Sequence, residues 1–152
     1  MNQLKNWHHE LLGKKVVAAL EKNNFHATYC KTSDEAVPQI LDLIPRDAVV
    51  GCGGSMTIHE MGLTEKLMER GNSILDHNQP GLDAAQKAEI RRKELTCDVF
   101  LTGTNALTLD GQLVNTDGAG NRVAAMIFGP GKVIVIVGSN KIVKDVAAAE
   151  AR

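Results

Sequence analysis

The chain contains few aromatic residues, and this scarcity limits what it can bind. Of its 152 residues, 3% are Phe, Trp or Tyr. Proteins that bind RNA or single-stranded DNA stack bases on aromatic side chains, so this composition argues against that function. The net charge of −1 also provides no basic footprint for nucleic acid or for an anionic membrane. We therefore expect neither nucleic acid nor a membrane as a partner.

Long hydrophobic runs and paired cysteines are missing as well. No apolar run approaches the roughly 20 residues of a membrane-spanning helix. The stretch MNQLKNWHHELLGKK lacks the apolar core of a signal peptide, so we expect a cytoplasmic protein. Cys30, Cys52 and Cys97 show neither a CxxC motif nor the spacing of zinc ligands. We expect reduced thiols, no metal and no cofactor.

The sequence does contain an alternation of short apolar runs and helical patterns. Helices are predicted over residues 3–22, 35–44, 57–70 with a weak point at Gly62, 82–95, 121–128 and from 143 onward. Strands are predicted over residues 26–31, 48–51, 72–76, 97–101 and 132–137. This alternation indicates a mainly parallel sheet with helices on both faces. We predict a single α/β domain over residues 1–152.

One segment departs from this alternation and predicts an inserted β-hairpin. Two short strand patterns, 106–109 and 112–115, flank the pair Asp110-Gly111. An Asp-Gly pair between such strands is typical of a type I′ turn. The apolar side chains of the hairpin are a candidate contact between two copies of the chain in a homodimer. They are Leu107, Leu109, Leu113 and Val114.

Three predicted strands end in similar glycine-containing turns, VVGCGGS, FLTGTNA and IVIVGSNK. Parallel strands end on one edge of a sheet, and ligands of open α/β sheets bind outside that edge. The spacing of Thr57 and Glu60 predicts a capping box, which starts a helix directly after the first turn. Backbone N–H groups at such turns favour an anion. The candidate ligand-binding residues here are Gly51, Cys52, Gly53, Gly54, Ser55, Thr102, Gly103, Thr104, Asn105, Gly138, Ser139 and Asn140.

The alternative interpretation is that these glycines only permit tight turns.

Neither of two better-known phosphate-binding signatures is complete in this sequence. The motif GxxxxGK[ST] is absent, and Gly51-x-Gly53 lacks the third glycine of a dinucleotide fingerprint, although Asp76 lies where a ribose-binding acid would stand. We therefore predict a small carboxylate or phosphate as the ligand rather than a dinucleotide.

A second candidate loop, NTDGAGNR, covers residues 115–122 and precedes a predicted helix. Its candidate ligand-binding residues are Asp117, Gly118, Gly120, Asn121 and Arg122. Two interpretations of Arg122 are open. A cation in a first helical turn is unfavourable for the helix dipole, which suggests that it holds a carboxylate or phosphate. Equally, Arg122 pairs with Asp117 and fixes the loop.

Catalytic roles are less well supported by the sequence. Asp117 and Glu60 are the only plausible general bases in these motifs. A thiolate at Cys52 would be stabilised before a helix, but a small apolar residue packed under a turn is the commoner case. We assign no catalytic residue.

The same segments closely resemble the LUD-domain family. They are VGCGGSMTIHEMG, the charged helix before Asp98, and DVFLTGTNALTLDGQLVNTDGAGNRVAAMIFGPGKVIVIVGSNKIVKDV. The family includes the lactate utilisation protein C-like proteins of bacteria and is similar in fold to the sugar-phosphate isomerase, CoA-transferase and formyltetrahydrofolate cyclo-ligase group. The cysteine-rich C-terminal tail of such relatives is absent from these 152 residues.

The resemblance implies a role in bacterial lactate utilisation, in which such proteins accompany iron–sulfur subunits that oxidise lactate to pyruvate. It implies no catalytic residue set. Our first hypothesis is therefore an accessory subunit that binds a small anionic ligand. The alternative is an enzyme that acts on a phosphorylated or CoA-linked small molecule.

Overall fold

The computed structural model describes residues 2–152, with side chains described from Leu4 onward except that of Lys5. The chain forms two compact units, each built from stretches that are separate in the sequence. We call them the hairpin unit (Met1–Ala36, Thr104–Asn115 and Val137–Arg152) and the sheet unit (Val37–Gly103 and Thr116–Ile136).

Helices and strands alternate along most of the chain. The helices are α1 (Asn2–Lys22), α2 (Ser33–Asp42), α3 (Met56–Glu60), α4 (Leu63–Glu69), α5 (Ala84–Glu94), α6 (Asn121–Ile127) and α7 (Val146–Glu150). The strands are β1 (Val49–Cys52), β2 (Ser73–Leu75), β3 (Val99–Thr102), β4 (Ala106–Thr108), β5 (Leu113–Val114), β6 (Lys132–Val135) and β7 (Ile142–Val143). A short 3₁₀ helix covers Ser139–Lys141.

The sheet unit is built on a four-stranded sheet in the order β2-β1-β3-β6, and all its strand pairs are parallel. From β1 the chain passes to β2 on one side, and later to β3 on the other side. The order therefore reverses between β1 and β3. The predicted α/β fold with a mainly parallel sheet is confirmed.

Central strand β3 and its covering helices form the core of this unit. Phe100 and Leu101 are fully buried, and Phe100 packs in a cluster with Cys97 and Ala125. Helix α5 contacts β1 and β2, and α6 contacts β3. Burying one large apolar side chain stabilises a fold by about 1.5–3 kcal/mol. These short strands are therefore held mainly by apolar contacts across their faces.

The predicted helix over residues 57–70 is broken at Gly62. Gly62 has a φ of 60°, a left-handed conformation that favours glycine, and it separates α3 from α4. The predicted capping box of Thr57 and Glu60 is wrong, because α3 begins at Met56. Its N-cap is Ser55, whose side chain makes no capping hydrogen bond.

A capping box does form at the start of α5. The side chain of Asp83 accepts a hydrogen bond from the Gln86 N–H at 2.8 Å, and the Gln86 side chain accepts one from the Asp83 N–H at 2.9 Å. Both backbone N–H groups, which have no acceptor within the helix, are therefore satisfied, and the helix starts at a defined residue.

In the hairpin unit, the predicted hairpin is confirmed as β4 paired antiparallel with β5. It belongs to a separate sheet in the order β5-β4-β7 rather than to the parallel sheet. The predicted type I′ turn is wrong, because that turn needs positive φ at both central residues and only Gly111 has it, at 82°. The Gly111 N–H donates to Thr108 O at 3.0 Å, as in a three-residue loop that ends in a left-handed glycine.

Two further predictions in the hairpin unit are wrong. Residues 26–31 form no strand, because their apolar pattern has no paired neighbour in this unit. The last helix begins at Val146 rather than at 143, because Asp145 caps it by accepting from the Ala148 N–H at 2.9 Å. Strand β7 precedes it and pairs with β4, a long-range contact without a local signal.

Leu107 is buried inside the hairpin unit, whereas Leu109, Leu113 and Val114 are half-buried. Leu107 therefore cannot contribute to a contact between two copies. In α1, Leu4 and Trp7 are exposed and Val16 is buried, so only part of the predicted apolar face packs in this unit. Across residues 2–152, every helix is too short or too polar to cross a bilayer.

Candidate ligand-binding site

The turns that follow β1 and β3 lie side by side at the carboxyl edge of the parallel sheet. In β1 and β3, Cys52 pairs with Leu101, and the Gly53 N–H donates to Leu101 O at 2.9 Å. These two strands flank the position where the strand order reverses. In open α/β sheets, ligands bind in the crevice outside the carboxyl ends of such strands.

We call residues 51–55 the glycine loop, and close packing explains its composition. A methyl group at Gly51 would lie 3.0 Å from both Cys97 Sγ and Phe100 Cδ2. A methyl group at Gly53 would lie 3.0 Å from Thr102 Oγ1. Part of the glycine content is thus a packing requirement, as the alternative interpretation of the sequence holds.

Ser55 and Gly103 join the two turns. A methyl group at Gly103 would lie 2.9 Å from Ser55 Oγ. That oxygen is buried and has no hydrogen-bond partner among the described residues. The N–H groups of Gly54 and Ser55 likewise donate to no acceptor in the described part of the chain. Buried polar groups are normally paired, so the unsatisfied Ser55 hydroxyl, beside these N–H groups, indicates a position where a ligand oxygen would fit.

Cys52 is buried at the end of β1, with an exposure of 4%. Burial, together with the negative charges of Asp76 and Glu94, raises the pKa of its thiol to about 12. The side chain of Thr64 is hydrogen-bonded to the thiol and opposes the shift. This environment suits a packed, protonated thiol and disfavours a nucleophile.

A buried His77–Glu94 pair, which the sequence analysis missed, joins the turn after β2 to α5. His77 Nδ1 is 2.7 Å from Glu94 Oε1, and both side chains are buried. Burial raises the pKa of the Glu94 carboxyl group, and the contact with His77 opposes this shift. His77 lies just after the end of β2, so the rule that selected the glycine turns at strand ends would also have selected it. Glu94 had no signal, because the charged helix around it predicts an exposed side chain.

The second candidate loop is fixed by its own side chains. Arg122 Nε donates to Asp117 Oδ1 at 2.7 Å, and Arg122 Nη2 donates to Thr116 O at 3.0 Å. Asp117 Oδ2 accepts from the Val123 N–H at 2.7 Å. The structure therefore contains the Arg122–Asp117 pair of the second interpretation. Ligand binding by Arg122, Gly118, Gly120 and Asn121 stays a prediction.

The remaining predicted site residues belong to the hairpin unit. Thr104 is fully buried, and its hydroxyl lies 2.9 Å from Asn115 Oδ1 and 3.1 Å from Ala106 O. Lys141 Nζ donates to Thr104 O at 2.8 Å, and Arg152 donates to Asn105 O. Gly138 precedes the 3₁₀ helix that contains Ser139 and Asn140. Thr104 thus has a structural role in this unit.

Comparison with known families decides the relationship. The family model of the LUD domain matches residues 13–152. The chain belongs to the LUD-domain family. Neither a curated protein nor a solved structure gives a match to it. The LUD domain therefore spans both turns of the carboxyl edge, the His77–Glu94 pair and the Arg122–Asp117 pair. Within the described residues, this LUD domain holds no group of three or more His, Cys, Asp or Glu side chains arranged for a metal ion.

Proposed function

We propose that this LUD-domain protein binds a small carboxylate at the glycine loop and takes part in bacterial lactate utilisation as an accessory subunit. The observation that carries the proposal is the unsatisfied Ser55 hydroxyl, which lies against Gly103 where the strand order reverses. Oxygen atoms of a carboxylate would accept from this hydroxyl and from the free N–H groups beside it.

The local charge supports a singly charged ligand over a phosphate or a CoA ester. Asp76 and Glu94 raise the pKa of the Cys52 thiol, as nearby negative charges do. The guanidinium of Arg122 already contacts Asp117. This acidic environment would repel a multiply charged phosphate more strongly than a singly charged carboxylate.

Lactate and pyruvate are the carboxylates that the family resemblance favours. Iron–sulfur subunits that oxidise lactate are the partners expected from the same resemblance. An accessory subunit that binds substrate or product would need no redox centre of its own. The proposal therefore requires binding of the carboxylate by this chain, and it requires no cofactor within the chain.

Binding is tested by thermal unfolding with millimolar L-lactate, pyruvate, inorganic phosphate or CoA. A ligand that binds only the folded state raises Tm by mass action. We expect lactate or pyruvate to raise Tm and phosphate and CoA to leave it unchanged. Ser55→Ala should abolish the rise. Ser73→Ala, at the exposed amino end of β2, is the matched control and should retain it.

Two results would contradict this proposal. A rise with phosphate or CoA alone would support the alternative of an enzyme for phosphorylated or CoA-linked molecules. An unchanged rise in Ser55→Ala would move the carboxylate site away from the glycine loop.

A further inference from the structure

The buried His77–Glu94 pair has the arrangement of a proton-transfer pair. Glu94 is 1% exposed, and its Oε1 lies 2.7 Å from His77 Nδ1. When Glu94 is ionised, the Nδ1–H of His77 donates to it, which leaves the lone pair on Nε2. No hydrogen bond from residues 2–152 engages Nε2, and this atom is not fully buried. Glu94 therefore orients an imidazole whose second nitrogen remains accessible.

The pair borders the glycine loop. Gly51 pairs with Leu75 of β2, and His77 follows Leu75 by two residues. A methyl group at Gly51 would lie 3.3 Å from Glu94 Cγ, and one at Gly54 would lie 3.1 Å from Asn78 Nδ2. Glu94 therefore packs against the start of the glycine loop, and the turn after β2 that contains His77 and Asn78 lies beside Gly54.

One buried atom of the pair is unsatisfied. Glu94 Oε2 has no hydrogen-bond partner in the described residues, although its residue is 1% exposed. A side chain kept only as a structural tie would normally satisfy both oxygens. Functional sites are where such costs are retained, because the environment there adjusts an acid or a base.

We propose that His77 is a catalytic base that removes a proton from a small 2-oxo carboxylate held at the glycine loop, and that Glu94 is its positioning residue. This inference rests on the proposed carboxylate site. It adds that the site performs proton transfer α to a carbonyl group.

The step balances without an oxidant or a second substrate. The C–H bond next to the carbonyl breaks, its electron pair forms the enolate, and the proton passes to His77 Nε2. The resulting imidazolium is stabilised by the Glu94 carboxylate. The carboxylate and the enolate oxygen are on neighbouring carbon atoms, so the Ser55 hydroxyl and the free N–H groups that bind the carboxylate would also donate to the enolate oxygen. The imidazolium releases its proton to solvent, and return of a solvent proton to carbon regenerates the 2-oxo carboxylate.

The test uses pyruvate in D₂O, with deuteration of its methyl group followed by ¹H NMR in the presence of the full chain. We expect the protein to accelerate exchange above the buffer rate. His77→Gln should lower this excess at least a hundredfold, in the range that general acid–base catalysis contributes. His26→Gln, an exposed histidine in the hairpin unit, is the matched control and should leave it unchanged.

Glu94→Gln keeps the shape and the acceptor for Nδ1–H but removes the charge. We expect slower exchange and a midpoint of the pH–rate profile that moves to lower pH, because a neutral amide no longer stabilises the imidazolium. Other ionisable groups that interact with Glu94 include Asp76, Cys52 and Cys97, which all three variants retain. A merely structural Glu94 would change stability and leave this midpoint in place.

Binding and exchange separate the two proposals. Pyruvate that raises Tm without accelerated exchange, or exchange that survives in folded His77→Gln, overturns proton transfer and leaves the carboxylate site intact. Absence of both the Tm rise and the exchange overturns both. Circular dichroism of each variant verifies the fold, and Glu94→Gln decides the outcome if His77→Gln does not fold.

Discussion

Individual residues of the same type have different chemistry in this chain because their burial differs. Cys52 and Cys97 are buried, whereas Cys30 is partly exposed. Burial raises the pKa of both buried thiols, and that of Cys52 reaches about 12 from an ordinary 9.0. The position of Cys52 in a glycine turn before a helix suggested thiolate stabilisation. Desolvation is the larger effect and decides against it.

Alkylation with iodoacetamide at pH 8 tests this assignment. A pKa of about 12 leaves about one Cys52 thiol in ten thousand ionised at that pH, against about one in ten for an ordinary thiol. We expect Cys52 and Cys97 to resist labelling in the native protein and to react in urea, as measured by peptide mass spectrometry. Equal labelling rates of Cys52 in the native and unfolded protein would contradict the assignment.

The ends of helices and strands agree with the sequence prediction where the local turn chemistry is specific. They differ from it where another contact intervenes. The predicted helix over residues 57–70 is broken at Gly62, the weak point that the sequence indicates. Helix α6 ends just before Gly129-Pro130-Gly131. The Asp-Gly hairpin formed, but its turn type differed, because Asp110 keeps a negative φ. Thr108 explains this difference, since its hydroxyl contacts the Asp110 carboxylate and accepts from the Gln112 N–H at 3.0 Å.

The hairpin turn should be sensitive to one methyl group. In Gly111→Ala, the new Cβ would lie 2.9 Å from Leu20 N of α1, in a residue with a φ of 82°. A left-handed non-glycine residue costs roughly 1–2 kcal/mol, and overpacking against backbone adds about 1–3 kcal/mol. We expect the free energy of unfolding to fall by about 2 kcal/mol or more in urea titrations.

Gly118→Ala is the control for this variant, because a Cβ there would meet nothing within 4 Å. It should change the free energy of unfolding by at most about 0.5 kcal/mol. Comparable losses in the two variants would contradict the close contact between the turn and α1.

For the whole molecule, the central parallel strands β1 and β3 contribute some of the most deeply buried side chains of the sheet unit, including Val50, Phe100 and Leu101. Phe100 is fully buried in β3, whereas Phe128, just after α6, is 89% exposed. The few aromatic residues of the chain thus include both extremes of burial. Composition cannot separate them, because the separation depends on which strand is central.

These two residues form a matched pair for measuring core stability. Phe100→Ala should lower the free energy of unfolding by about 3–5 kcal/mol, a large share of the 5–15 kcal/mol typical of a domain. Phe128→Ala should change it by less than about 0.5 kcal/mol. Urea denaturation monitored by circular dichroism measures both. A loss below about 1 kcal/mol for Phe100→Ala would contradict the central position of β3.

The sequence predicted much of the candidate site and missed part of it. The strand-end glycines placed Gly51–Ser55 and Gly103 at one edge, because every parallel strand with a right-handed crossover ends there. The same rule would have selected His77 after β2. Glu94 lay beyond this reasoning, since a glutamate in a charged helix is normally solvated and only packing of α5 on β1 and β2 buries it.

By itself, the sequence determined the α/β class, the family, the hairpin and the glycine-containing turns after β1 and β3. Apolar periodicity and turn residues act over a few neighbouring positions, so the sequence shows them directly. Only the tertiary structure decided the reversal of strand order between β1 and β3, the pairing of β7 with β4 and the meeting of His77 with Glu94. Each of these joins residues distant along the chain, and the free energy that selects such contacts comes from burial shared by many side chains.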